Sequence, residues 1–354
     1  MLDTLTIDVQ PTTASRLTEL DPANMEFGKL FADHMLSVEF TGGEWQQPRI
    51  VPYGPLAISP ANSAIHYGQA IFEGMKAYRQ ADGSVALFRP LDNWRRLNAS
   101  AERMAMPTIP EDVFMQGLRE LVKLDAGWVP NVAGSSLYIR PFMFATDGAL
   151  GVRPSETYHF GIITCPVAAF FTKPVRVRFE QQYVRAAPGG AGYAKNAGNY
   201  GAAMLPSKLA QQEGYHQLIW TDASEHQYVE ESGAMNVMFV LDGKVVTPEL
   251  STSILDGITR RSVLELARTW GVPVEERRVS SREVIEGLAA GRLTEAFGVG
   301  TAATIAPIAT MGYEGRDHDL PALSESSFAR RVGAALEGIR TGHAADAHGW
   351  MVAV

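Results

Sequence analysis

Strand-like and helix-like patterns alternate along almost the whole chain with no repeat or low-complexity segment, which restricts the fold to a mixed α/β architecture. Val85-Ala86-Leu87-Phe88-Arg89 reads as a strand, and Leu91 to Met104 as a helix opening just after Pro90, a residue suited to a first helical turn. Glu111 to Leu124 sets Phe114, Leu118, Leu121 and Val122 on one helical stripe. Ser135 to Phe144 and Thr157 to Ala168 are β-branched and aromatic, hence strands. The pattern breaks at Thr172-Lys173-Pro174 before Val175-Arg176-Val177-Arg178-Phe179 begins, and a domain boundary is expected there.

The second half keeps the same style. Asp242-Gly243 between two β runs, 238–241 and 244–247, signals a hairpin. Ile258 to Trp270 reads as a helix, Ser280-Ser281-Arg282-Glu283 as a capping box opening another, and Phe328, Val332, Leu336 and Ile339 mark a last amphipathic helix. A length of 354 residues, 46% hydrophobic and 20% charged, suits about two domains with sizeable cores. The expectation is an α/β protein of α+β and barrel-like lobes: a smaller N-terminal domain over 1–168, a linker over 169–182, and a larger domain over 183–354.

Several function classes drop out. A net charge of −8 argues against nucleic acid or an anionic membrane as partner. The one cysteine, Cys165, sits in an apolar run and reads as a small buried hydrophobe, consistent with a reducing compartment. No signal peptide and no run of 18 apolar residues is readable, so the chain is expected to be cytoplasmic. Eight scattered histidines and no paired Cys-x-x-Cys give a metal site no support. Gly298-Val299-Gly300-Thr301-Ala302-Ala303 fits a dinucleotide pattern, but the β-branched, proline-interrupted 304–310 that follows is expected to be strand or loop, which disfavours a nicotinamide-dependent dehydrogenase.

What carries chemistry is Gly189-Gly190-Ala191-Gly192-Tyr193-Ala194-Lys195-Asn196-Ala197-Gly198-Asn199-Tyr200-Gly201. Small residues leave open space around one amine, which a neighbouring charge or desolvation can make nucleophilic.

Lys195 and Asn199-Tyr200 belong to an ordered series of windows. Phe31-Ala32-Asp33-His34-Met35-Leu36, His66-Tyr67-Gly68, Phe72-Glu73-Gly74-Met75-Lys76-Ala77, Leu87-Phe88-Arg89-Pro90 and Leu137-Tyr138-Ile139-Arg140-Pro141 precede them. Glu231-Ser232-Gly233-Ala234-Met235-Asn236, Gly257-Ile258-Thr259-Arg260 and Gly300-Thr301-Ala302-Ala303 follow. Taken together these windows resemble the branched-chain aminotransferases of the fold type IV pyridoxal-phosphate enzymes, from about Phe27 to the C-terminal tail.

The resemblance implies pyridoxal 5′-phosphate as cofactor, bound mainly by the C-terminal domain, and a role for each matching residue. Lys195 would bond the cofactor and carry the proton. Glu231 would pair with the pyridine nitrogen, Gly233-x-Met235-Asn236 setting the register against neighbouring Glu230. Tyr200 would bond the 3′ oxygen. Arg96, with Arg95 as the competing choice, would grip the phosphate, joined by the amides of Ile258 and Thr259 and the hydroxyl of Thr301. Tyr67, Phe72, Tyr138 and Phe170 would wall the substrate pocket, Thr301-Ala302 would receive the α-carboxylate, and Arg140 would read the side-chain carboxylate of glutamate. Leu150 and Val152 fall where the family reaches into a neighbouring subunit's site, implying a homodimer. Phe170 stands where relatives often have tyrosine, and Ala303-Thr304-Ile305-Ala306 lacks the paired cysteines of some animal members. The implied reaction transfers an amino group between leucine, isoleucine or valine and 2-oxoglutarate. A D-amino acid aminotransferase or aminodeoxychorismate lyase is the alternative on the same fold.

Overall fold

The computed structural model describes residues 5–168 and 173–354. These divide into two compact units. The first takes the described residues up to 168 together with Ala194–Ala197 and Glu337–Val354, and the second takes 173 to Tyr193 with Gly198–Leu336. Residues expected to form a linker over 169–182 include the strand Val175–Phe179, an interior member of the second sheet; its alternating Val175, Val177 and Phe179 are buried there. Lys195 and the last helical turn, expected in the second domain, belong to the first unit.

The first unit is built on a ten-stranded sheet whose long central strands, His34–Thr41, Tyr158–Val167 and Ser136–Ala145, pair antiparallel. Leu36, Val38, Leu137, Ile139, Met143, Phe160 and Ile162 form a core with Leu97, Phe114, Leu118 and Leu121 of the helices Pro90–Arg103 and Glu111–Leu124. Because side chains alternate across a strand, this core face of Ser136–Ala145 leaves Tyr138 and Arg140 on the other face. Arg89, expected as the end of a strand, takes φ 50° and terminates the strand Val85–Phe88. Cys165 is buried, and burial pushes its thiol up against the lowering pull of the Gly28 amide and the Arg140 charge.

The second unit carries a nine-stranded sheet. Its long strand Thr304–Tyr313 changes partner midway: 304–307 pair antiparallel with Leu293–Gly300, and 308–312 pair parallel with Val175–Phe179. Pro307 has no amide to give, and the register shifts just beyond it, so the sheet curls at this strand. Gly298–Ala303 is therefore the end of one strand and the turn into the next, and no helix opens there as a dinucleotide fingerprint needs. The hairpin across Asp242-Gly243 is present, as is the helix Ser281–Ala289 with the Ser280 side chain accepting the Glu283 amide at 3.0 Å. Two helices after Lys195, Ala197–Ala202 and Met204–Gln212, were not legible, because Gly198, Gly201 and Pro206 dilute the helical signal.

Candidate active site

The Lys195 segment is held by backbone bonds at the edge of the first unit's sheet. Phe72 donates its amide to the Lys195 carbonyl at 3.0 Å, and Ile71 bridges Asn196. The Lys195 amide donates to Ser100 Oγ at 2.9 Å. Ser100 in turn donates to the Arg96 carbonyl at 3.0 Å, one turn earlier on the helix Pro90–Arg103. One helix thus presents both the lysine's anchor and the expected phosphate arginine.

The two candidate arginines differ in setting. Arg95 is exposed and lies 3.5 Å from Asp92, whereas Arg96 is buried and forks onto the fully buried Glu73, Nε to Oε1 at 2.7 Å and Nη2 to Oε2 at 2.8 Å. That fork fixes the guanidinium plane using two of its five N–H donors. Glu73 was not singled out from sequence, although it follows Phe72 directly.

Phe72, Tyr138, Arg140 and Lys195 come together. The Lys195 amine lies 4.9 Å from the Phe72 ring centroid, and the Arg140 guanidinium 4.7 Å from the same ring and 5.3 Å from that of Tyr138. Arg140 Nη2 donates to the Tyr138 hydroxyl at 3.0 Å, while Nε is buried without a partner and no carboxylate pairs with the residue among those described. A cation embedded among rings without a counter-ion is suited to receive an anionic ligand. Gly74 is glycine by necessity here, since a Cβ would collide with the Tyr138 hydroxyl oxygen. Tyr67 stands apart, its hydroxyl accepting the Gly151 amide at 3.2 Å between the exposed Leu150 and Val152. Phe170 lies outside the described residues.

In the second unit Tyr200 and Glu231 line one cavity with Arg185, Asn199, Trp220 and Lys208. Glu231 Oε1 accepts the Leu255 amide at 2.6 Å and lies 3.2 Å from Arg185. Glu230 lines a different cavity with Tyr228, Ile254 and Arg278; burial pushes its carboxyl up to about 7, although the Arg185 charge and the Ser253 hydroxyl pull the other way. Ile258 and Thr259 open the helix Ile258–Thr269 and are buried. Its N-cap, Gly257, offers no side chain to the first amides, which is the condition for binding an anion at a helix start. Thr301 and Ala302 occupy the turn beyond the strand Leu293–Gly300.

These donors fit a phosphorylated pyridine. In the second unit an uncapped helix N-terminus suits a phosphate, and a buried carboxylate with a fixed cation suits a ring nitrogen. Ser100, Arg185 and Asn236 were missed as site residues from sequence, since their contacts are to distant backbone or to one another's segments. Among the described residues no cluster of histidine, cysteine and carboxylates suits a metal ion, and no helix is long and apolar enough to cross a membrane.

Residues 70–311 match the family model described as Amino-transferase class IV. The chain is 48% identical over 339 residues to a probable branched-chain-amino-acid aminotransferase of Staphylococcus aureus, covering 94% of each chain. It is 49% identical over 301 residues to the branched-chain-amino-acid transaminase 1 of Bacillus subtilis, covering 84% of this chain and 85% of that one. Among solved structures it resembles the branched-chain amino acid aminotransferase of Thermobaculum terrenum in its PLP form, with a TM-score of 0.73 and 25% identity over 90% of this chain and 97% of that one.

Proposed function

The chain belongs to the class IV aminotransferases, and from that premise we propose that it exchanges the amino group of leucine, isoleucine or valine with 2-oxoglutarate, giving branched-chain 2-oxo acids and L-glutamate with pyridoxal 5′-phosphate as cofactor. The observation that carries this reading is near-half identity, over almost the full length of both chains, to proteins named for that activity. In this reading the protein works as a cytoplasmic homodimer, with Leu150 and Val152 on exposed loop positions reaching the neighbouring subunit's site.

The bound cofactor supplies an electron sink for the charge left when a substrate Cα loses its proton. The chain's residues do the rest. Lys195 would hold the cofactor, and its amine is the group that would move the proton at Cα as general base and acid. Glu231 would keep a proton on the ring nitrogen, and Tyr200 would donate to the 3′ oxygen. Arg96, the amides of Ile258 and Thr259, and the Thr301 hydroxyl bind the phosphate. Phe72 and Tyr138 would exclude water around an aliphatic side chain, and the Thr301-Ala302 backbone would orient the α-carboxylate. Arg140 receives the second carboxylate of glutamate and lets one pocket serve both substrates.

The test is glutamate formation from leucine and 2-oxoglutarate by purified protein loaded with the cofactor. Release of 4-methyl-2-oxopentanoate in equal amount is expected. Amino transfer from D-amino acids alone, or lyase action on aminodeoxychorismate, would move the chain to the alternative activities of the same fold.

A further inference from the structure

Arg185 has no role in the reading above, yet its side chain is only 7% exposed and it touches three segments at once. Its guanidinium lies 3.2 Å from Glu231 Oε1, and Nη2 donates to the Gly192 carbonyl at 3.1 Å and to the Ser253 carbonyl. Gly192 stands three residues before Lys195. Ser253 opens the short loop that ends at Gly257, the N-cap of the helix with the phosphate-binding amides.

That loop is tied at every step. Leu255 donates its amide to the same Glu231 oxygen at 2.6 Å, and its carbonyl accepts from Asn236 Nδ2 at 2.8 Å. Gly257 packs so closely on the Asn236 amide that a Cβ there would collide with Oδ1. The carboxylate strand Val229–Ser232 and the phosphate helix are therefore joined through one loop, and Arg185 grips both the carboxylate and the loop.

The strand itself explains why a cation is needed. Val229 pairs with Thr221 and Glu231 with Trp220, so Glu230 is the extra residue of a β-bulge. Two carboxylates, both more than nine-tenths buried, follow one another with the Arg185 charge near each. Contact with the guanidinium favours the ionised form of Glu231, and a contact to one named oxygen fixes its orientation.

We propose that Arg185 is a positioning residue for the cofactor, acting through Glu231: it holds that carboxylate charged and aimed at the place of the ring nitrogen. The inference rests on the proposed function, because it assumes that Glu231 meets the ring nitrogen.

A double-mutant cycle on apoenzyme tests it, reading the dissociation constant for pyridoxal 5′-phosphate by titration of tryptophan fluorescence rather than turnover. Arg185→Met should weaken cofactor binding about 10- to 150-fold in the native background, the range expected for a charge-assisted hydrogen bond, and less than about threefold when Glu231 is already Gln. Arg185→Lys, which keeps the charge, should recover most of the loss. Should Arg185→Met fail to fold, Arg185→Lys carries the test, since its smaller loss must also vanish beside Glu231→Gln. Equal losses in both backgrounds, or none in either, overturn the inference while leaving the function standing. A native apoenzyme that takes up no cofactor overturns both.

Discussion

The amine of Lys195 lies 4.9 Å from the centroid of the Phe72 ring. The pairing is enforced by the backbone, since Phe72 donates its amide to the Lys195 carbonyl. The lysine is consequently fixed at both ends, its main chain on the sheet edge and its amine over an aromatic face. If this amine bonds the cofactor, borohydride reduction followed by peptide mapping places a pyridoxyl adduct on Lys195, and Lys195→Ala abolishes transamination even with cofactor present. Label on Lys76 or Lys208 would refute the assignment.

Ser100 supplies the other anchor. Ser100→Ala removes the acceptor of the Lys195 amide and leaves that donor without its side-chain partner, a loss worth about 1–3 kcal/mol. The expected result is a lower Tm together with a kcat decrease that exceeds the change in KM for leucine. An unchanged kcat would mean that the contacts with Phe72 and Ile71 suffice to hold the lysine.

Glu231→Gln keeps the shape of the side chain and removes its charge. Leucine half-reaction rates, followed by cofactor absorbance in single turnovers, should fall by about 100-fold or more, as when other preorganised electrostatic partners are lost. Glu230→Gln should leave the rate within a few-fold, because Glu230 lines the other cavity. The reverse pattern would put the ring nitrogen on Glu230.

Much of the fold was legible because its signals are local. Glu111–Leu124 carries an uninterrupted apolar stripe, the Ser280 cap needs only Glu283, and Asp242-Gly243 specifies its own turn. Lys195 stands out as a candidate for the same reason, as one amine in a glycine-rich stretch. Ser100 was not, because its bond to Lys195 spans 95 positions and a serine inside a helix has no distinguishing pattern. Arg185 and Asn236 were hidden likewise: both work on backbone carbonyls brought near by the sheet. The strand Val175–Phe179 was visible but its place was not, since alternation reports a half-buried strand and is silent on its neighbours.

Lys76 predicts a pH signature. Burial lowers its amine to about 7, and the Arg340 charge adds to this while Glu337 opposes it. Between pH 7 and about 10 the unfolded chain binds more protons at this residue than the native state, so stability should rise with pH across that window and be lost as pH falls toward 7. The Tm of Lys76→Met, measured from pH 7 to 9.5, should show a smaller rise than the native protein. Parallel curves would mean that the native amine stays charged.

Arg140 decides how one pocket takes both an aliphatic side chain and a charged one. Its guanidinium rests on Phe72 and Tyr138, donates to the Tyr138 hydroxyl, and keeps Nε buried without a partner. A structural salt bridge at the strand's edge would need a carboxylate, and none pairs with it among the described residues. A charge-assisted hydrogen bond to the side-chain carboxylate of glutamate is worth roughly 1.5–3 kcal/mol. Arg140→Met, which keeps the aliphatic packing against both rings, should therefore cut kcat/KM for glutamate about 10- to 150-fold and leave that for leucine within about twofold. Steady-state kinetics with both amino donors checks this. Equal losses would mean that Arg140 serves the fold or the cofactor and that the second substrate is read elsewhere.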